Sequence, residues 1–142
     1  MFLGQYRHSL DDKGRLTIPA KFRDELAGGA HLTQGFDHNL RLVTKSAFDE
    51  MVTKVSQLSE GDPLTRILAR LIFSGASEAN PDSVGRILIP QFLREVAGLA
   101  DDAVIVGVGK SVEIWSPAAW DEQMLLLSDF EANSQRFAAL DL

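Results

Sequence analysis

The chain contains the same segment twice. Asp11-Asp-Lys-Gly-Arg-Leu-Thr-Ile-Pro-Ala-Lys-Phe-Arg23 aligns with Asp82-Ser-Val-Gly-Arg-Ile-Leu-Ile-Pro-Gln-Phe-Leu-Arg94 at an offset of 71. Asp, Gly, Arg, Ile, Pro and the last Arg coincide, and most other apolar positions stay apolar. Phe2 and Gly4 fall on Phe73 and Gly75. Leu32-Thr-Gln-Gly35 falls on Val104-Ile-Val-Gly107, and Ala47-Phe-Asp-Glu50 on Ala119-Trp-Asp-Glu122, both at an offset of 72 that one inserted residue explains. A unit of this size cannot bury a good core alone. The two copies are therefore expected to pack together as a pseudo-dimer with approximate internal two-fold symmetry.

Each copy can be read from its punctuation. Asp-x-x-Gly forms a turn, because the Asp carboxylate bonds to nearby backbone N–H groups and Gly tolerates positive φ. A short strand follows at Leu16-Thr-Ile18 and at Ile87-Leu-Ile89. Pro19 and Pro90 then open helices over Pro19–Leu26 and Pro90–Ala97, which Gly28-Gly29 and Gly98 close. A hairpin is predicted next in each copy, turning at Asp37-His38 and at Gly109-Lys110. Helices from Ser46 to Leu58 and from Pro117 to Leu127 follow, capped by Ser46 and Ser116. The expected division is a first repeat over 1–60, a connecting helix over 61–73, a second repeat over 74–127 and a helical tail over 128–142.

Charge is unevenly spread. The 142 residues carry a net −6, which opposes binding to phosphate. Residues 1–23, however, hold five basic against two acidic side chains, a net +3, whereas residues 95–142 hold two against nine, a net −7. There is no cysteine, so disulfides, thiolate metal sites and cysteine nucleophiles are excluded. Neither an export signal nor an apolar run of membrane-spanning length is present, and a cytoplasmic protein is expected.

The twin Asp-x-x-Gly-Arg loops, each followed by a strand, a proline and a helix, resemble the two signatures of the MraZ family of bacterial transcriptional regulators. The resemblance spans essentially the whole chain, including its opening Met-Phe-x-Gly. It implies an α+β fold: a duplicated SpoVT/AbrB-type swapped-hairpin β-barrel with flanking helices. It also implies a ring-shaped homo-oligomer, associated with the nucleoid, that binds double-stranded DNA at short direct repeats of a promoter. Repression of its own promoter and of the downstream division and cell-wall gene cluster is the implied effect. By the same carry-over Arg15 and Arg86 contact DNA, and Asp11 and Asp82 are their signature partners.

The chemistry of these residues is compatible with that role. Arginine presents a rigid fork that bonds bidentately to guanine O6 and N7 or to phosphate. Gly14 and Gly85 allow the backbone to approach DNA closely. Asp11 and Asp82 are read as braces of the loops. Lys13, Arg7 and Lys21 would add phosphate affinity, which positions a protein without specifying sequence. Val84 replaces Lys13 in the second loop, so Arg15 is expected to be the stronger anchor. The plainer reading of Arg15 and Arg86 is a turn arginine held by its own motif's Asp. For Arg23 and Arg94, beside Asp24-Glu25 and Glu95, salt bridges are expected.

Other chemistries find little support. His8, His31 and His38 lack metal-site spacing, and no metal or other cofactor is expected. Trp115 and Trp120, with Phe48 as the counterpart of Trp120, read as core. Gly107-Val-Gly109 lies in a hairpin and is no phosphate loop. No Ser-His-Asp set or nucleophile elbow appears, so an enzyme is not expected, and no small-molecule effector is indicated. The remaining alternative is an antidote-like protein-binding module of the same fold family.

Overall fold

Proline sets the boundary between strand and helix in both copies. Pro19 (φ −51°) and Pro90 (φ −56°) stand just ahead of the helices, which begin one residue later than predicted. In the computed structural model, which describes residues 1–142, the first copy comprises β1 (Phe2–Ser9), β2 (Arg15–Thr17), α1 (Ala20–Leu26), β3 (Ala30–Gln34), β4 (Leu40–Thr44), α2 (Lys45–Ser56) and α3 (Pro63–Phe73). The second comprises β5 (Ser77–Glu78), β6 (Arg86–Leu88), α4 (Gln91–Ala97), β7 (Asp102–Gly109), β8 (Val112–Trp115), α5 (Pro117–Leu127) and α6 (Phe130–Phe137). The order is identical in both. The helix between the copies is thus the last element of the first, with α6 as its counterpart.

The strands interleave the two copies. Six of them form one antiparallel sheet in the order β1-β7-β8-β4-β3-β5, and β2 pairs with β6 as a separate ribbon. Each copy's first strand pairs with the other copy's hairpin: β1 with β7, and β5 with β3. The pseudo-two-fold axis runs between β4 and β8, where Leu40 faces Ile114 and Leu42 faces Val112. The ladders leave this sheet open rather than closed into a barrel. A single bridge between Leu10 and Leu16 links the ribbon to β1.

Register departs from the sequence alignment in the hairpins. Leu32 pairs with Leu42, and Ile105 pairs with Ile114, the symmetry mate of Leu42. Leu32 therefore corresponds to Ile105 and not to Val104. A slip of one residue moves a side chain to the opposite face of a sheet. Leu32 and Ile105 are both in the main core, while Val104 packs with Trp115 and Trp120. The cause lies in the turns. Gly35 donates its N–H to Asn39 O at 2.8 Å, enclosing the three residues Phe36–His38, with His38 left-handed at φ 56°. Val108 N–H bonds Ser111 O at 3.0 Å, enclosing only Gly109-Lys110, with Gly109 at φ 92°. A three-residue loop with a left-handed residue and a two-residue loop opening on glycine are both common hairpin solutions.

One core serves both copies. Phe2, Leu16, Ile18, Phe22, Leu26, Leu32, Leu40 and Leu42 of the first pack with Ile87, Ile89, Leu93, Ile105, Val112 and Ile114 of the second. On the opposite face of the sheet, Trp120 of α5 packs on Trp115 with ring centroids 5.7 Å apart. Phe48 of α2 stacks on His31 at 4.2 Å and meets Phe73 of α3 edge-on. Thr44 caps α2, its hydroxyl accepting from Ala47 N–H at 3.1 Å; Ser46, the expected cap, lies inside the helix. Ser116 caps α5 in the same way as its repeat partner. No helix is long and apolar enough to cross a membrane.

Candidate nucleic-acid interface

Both Gly-Arg loops are built around one carboxylate. Asp11 Oδ1 accepts the N–H groups of Lys13 (3.0 Å) and Arg15 (2.8 Å), and Oδ2 accepts Arg15 Nε–H at 2.6 Å. Asp82 repeats this with Val84 (3.1 Å), Arg86 N–H (2.9 Å) and Arg86 Nε–H (2.9 Å). Backbone bonds close each turn, from Gly14 N–H to Asp11 O and from Gly85 N–H to Asp82 O. Only the backbone of Lys13 and Val84 takes part, which explains how one replaces the other without altering the loop. The backbone N–H of Arg15 holds the Asp11 carboxyl below its ordinary range, and that of Arg86 does the same for Asp82. Gly14 (φ 77°) and Gly85 (φ 85°) occupy the left-handed region that the turn requires. Both are buried beneath an arginine of the other repeat, so neither offers its backbone for the close approach to DNA expected from the sequence.

The ribbon joins the two loops. Arg15 faces Leu88, Leu16 faces Ile87 and Thr17 faces Arg86. Side chains alternate across a strand and directly opposed residues share a face. Leu16 and Ile87 point into the core, at 0% and 1% exposure. Arg15, Thr17, Arg86 and Leu88 therefore share the outer face, with the two arginines on a diagonal of about 7–8 Å between Cα atoms. Both guanidinium groups are half-buried. The motif Asp takes Nε, and the Nη groups of both arginines make no hydrogen bond within the chain. Each arginine is thus held by its own Asp and also set on a shared outward face.

The other basic residues are dispersed. Lys13 is exposed on the first loop. Lys21 is exposed on α1, which follows β2 to the far end of the ribbon and adjoins the second loop through Ile18 N–H and Gly85 O at 2.8 Å. Arg7, on β1, lies outside both loops and pairs with Asp102 at 3.3 Å.

Arg23 and Arg94 do not form the expected salt bridges. Glu25 pairs with the amino group of Met1, and Glu95 accepts from Gln91 Nε2 at 3.1 Å. Arg23 Nε–H donates instead to Ile18 O at 3.0 Å, and its guanidinium lies directly over Gly85. Arg94 lies over Gly14, where a Cβ would stand 2.7 Å from Nη1. Sequence reasoning missed this crossing. Its one signal was the recurrence of both arginines at the repeat offset.

Comparison with known proteins gives a consistent result. The family model for MraZ protein, described as antitoxin-like, matches residues 1–71 and again residues 72–140. The chain is 49% identical over 138 residues to the transcriptional regulator MraZ of Roseiflexus castenholzii, covering 97% of this chain and 94% of that one. It is 45% identical to the protein of that name from Thermomicrobium roseum, over 99% of both chains, and 44% identical to that of Mycobacterium ulcerans, over 94% of both. With two tandem matches and relatives aligned along nearly its whole length, the chain belongs to the MraZ family.

Proposed function

We propose that this chain is a transcriptional regulator that binds double-stranded promoter DNA through the outer face of the β2-β6 ribbon. The observation that carries this reading is the placement of Arg15 and Arg86 on one face, each fixed at Nε by its motif Asp. Fixing Nε removes much of the rotamer freedom that a long side chain otherwise loses on binding. The free Nη edge keeps two donors for guanine O6 and N7 or for a phosphate. Lys13, Lys21 and Arg7 contribute phosphate affinity, Arg7 at the expense of its pairing with Asp102.

The net −6 charge makes binding by one chain weak, and a ring-shaped homo-oligomer on short direct repeats resolves this by avidity. Apolar side chains exposed on the flanking helices are available for contact between copies: Leu64 and Ile67 on α3, Leu125 on α5 and Phe130 on α6. The regulated promoter is the chain's own, ahead of a division and cell-wall gene cluster, and the effect is repression, with the protein on the nucleoid.

The test is a titration of the upstream DNA at fixed salt with wild type, Arg15→Ala, Arg86→Ala and the double variant. Loss of specific binding on removing either arginine supports the reading. Unchanged occupancy in the double variant overturns it, and is the result expected of an antidote-like protein-binding module.

A further inference from the structure

We propose that Arg23 and Arg94 are positioning residues, each setting the DNA-facing loop of the other repeat so that the two loops work as one unit. The proposal rests on the DNA reading for its effect on affinity, but its geometry does not depend on that reading.

The argument starts from antiparallel pairing. Strand β2 leaves the first loop and ends at the second, because Thr17 faces Arg86. The helix that follows β2 therefore docks beside the second loop, and α4 docks beside the first by the same symmetry. Two matched contacts result on each side. Ile18 N–H bonds Gly85 O at 2.8 Å and Ile89 N–H bonds Gly14 O at 2.9 Å. Arg23 covers Gly85, and Arg94 covers Gly14.

Only glycine permits this approach, since a Cβ at either position would run into the guanidinium. Only a flat cation suits it, because a guanidinium lies face-on against a peptide whereas an ammonium is a compact, hydrated point charge. Arg23 is anchored by its bond to Ile18 O, and Arg94 Nε is buried without a hydrogen-bond partner in the chain. That buried nitrogen is retained beside Gly14, where packing against the loop is the gain that offsets it. The residue after each covered glycine is the proposed DNA-contacting arginine.

The experiment is a pair of double-variant cycles in the full-length chain, read by affinity for its upstream DNA at fixed salt and by amide hydrogen exchange of the two loops. Arg23→Ala is expected to weaken binding about tenfold, or about 1.4 kcal/mol. Combined with Arg86→Ala it should add less than about threefold, because both act at the second loop. Combined with Arg15→Ala it should add its full factor. Arg94→Ala should couple to Arg15→Ala in the mirror sense. Exchange should quicken at residues 82–86 in Arg23→Ala and at 11–15 in Arg94→Ala, with the other loop unchanged.

Arg23→Lys separates the alternatives: a brace is not restored by lysine, whereas a phosphate contact is. Equal additivity with both loop arginines, rescue by lysine, or exchange that quickens equally in both loops overturns the proposal. If Arg15→Ala and Arg86→Ala themselves leave binding unchanged, the DNA reading fails, and the exchange data alone decide the brace.

Discussion

Asp11 holds Arg15 at both ends, accepting its backbone N–H at 2.8 Å and its side-chain Nε–H at 2.6 Å. Electrostatics and geometry then make opposite forecasts for Asp11→Ala. Removing a negative charge from a loop proposed to face DNA should strengthen binding, but it also frees the Arg15 side chain and leaves the backbone N–H groups of Lys13 and Arg15 without their acceptor. Bonds to a charged acceptor are stronger than neutral ones, and here three of them fix the loop and Arg15 together, so the loss of geometry should win. We expect Asp11→Ala and Asp82→Ala each to weaken DNA binding roughly tenfold, which titration at constant salt would measure. Tighter binding would mean that the brace is dispensable.

The same bonds fix a pH dependence. A carboxyl whose folded value lies below its ordinary 3.8 stabilises the fold above that value and ceases to do so as pH falls through the depressed one. Both loops should therefore be intact from neutrality down to about pH 4 and open only below it. Carbon-detected NMR titration of the two carboxyl groups checks this, with both midpoints expected below 3.8. Arg15→Ala should raise the Asp11 midpoint only part of the way, because its backbone bond survives, and should leave Asp82 unmoved.

Substituting the covered glycines tests the turn and the crossing together. Gly85→Ala demands positive φ of an L residue and drives a methyl group into Arg23. A cost of roughly 1–3 kcal/mol is expected, read as a lower melting temperature. Adding Arg23→Ala should recover part of it, since the collision is relieved while the backbone strain remains. Full additivity would show that the guanidinium yields freely.

Much of this was legible in the residues. The recurrence of Asp, Gly, Arg and Pro at one offset gave the duplication, the turns and the strand-helix boundaries, because each of these residues acts locally on its own backbone. The carboxylate brace was legible for the same reason. Long-range geometry was not. The exchange of β1 and β5 between the copies, and the crossing of Arg23 and Arg94, depend on which strands pair, and no local preference encodes that. The shift from Val104 to Ile105 as the mate of Leu32 was hidden because two adjacent apolar residues on a strand buried on both faces give no alternation to read. The cap at Thr44 was readable in principle, as the repeat partner of Ser116.

The two loops should contribute nearly equally, contrary to the ranking that Lys13 and Val84 suggest. Their hydrogen bonds match one for one, and the crossing brings α1, which carries Lys21, to the second loop. Arg15→Ala and Arg86→Ala should each cost about 1–3 kcal/mol of specific binding. Lys13→Ala should cost less, act on all sequences alike and reduce the salt slope by about one. Binding more than about tenfold weaker in Arg15→Ala than in Arg86→Ala would restore the ranking.

Strand exchange makes a final demand on the halves. Residues 1–75, which keep α3 whole, contain β1 without its partner β7, and β3 without β5, and their core side chains pack against Ile87, Ile89, Leu93 and Ile105 of the other copy. Cutting the chain there exposes sheet edges and most of the shared core, and neither half has enough surface to bury on its own. Each half expressed alone should lack a cooperative melting transition by circular dichroism. Mixed in equal amounts, they should recover one and elute together on size exclusion. Independent cooperative folding of either half would mean that the exchanged strands are not what unites the two copies.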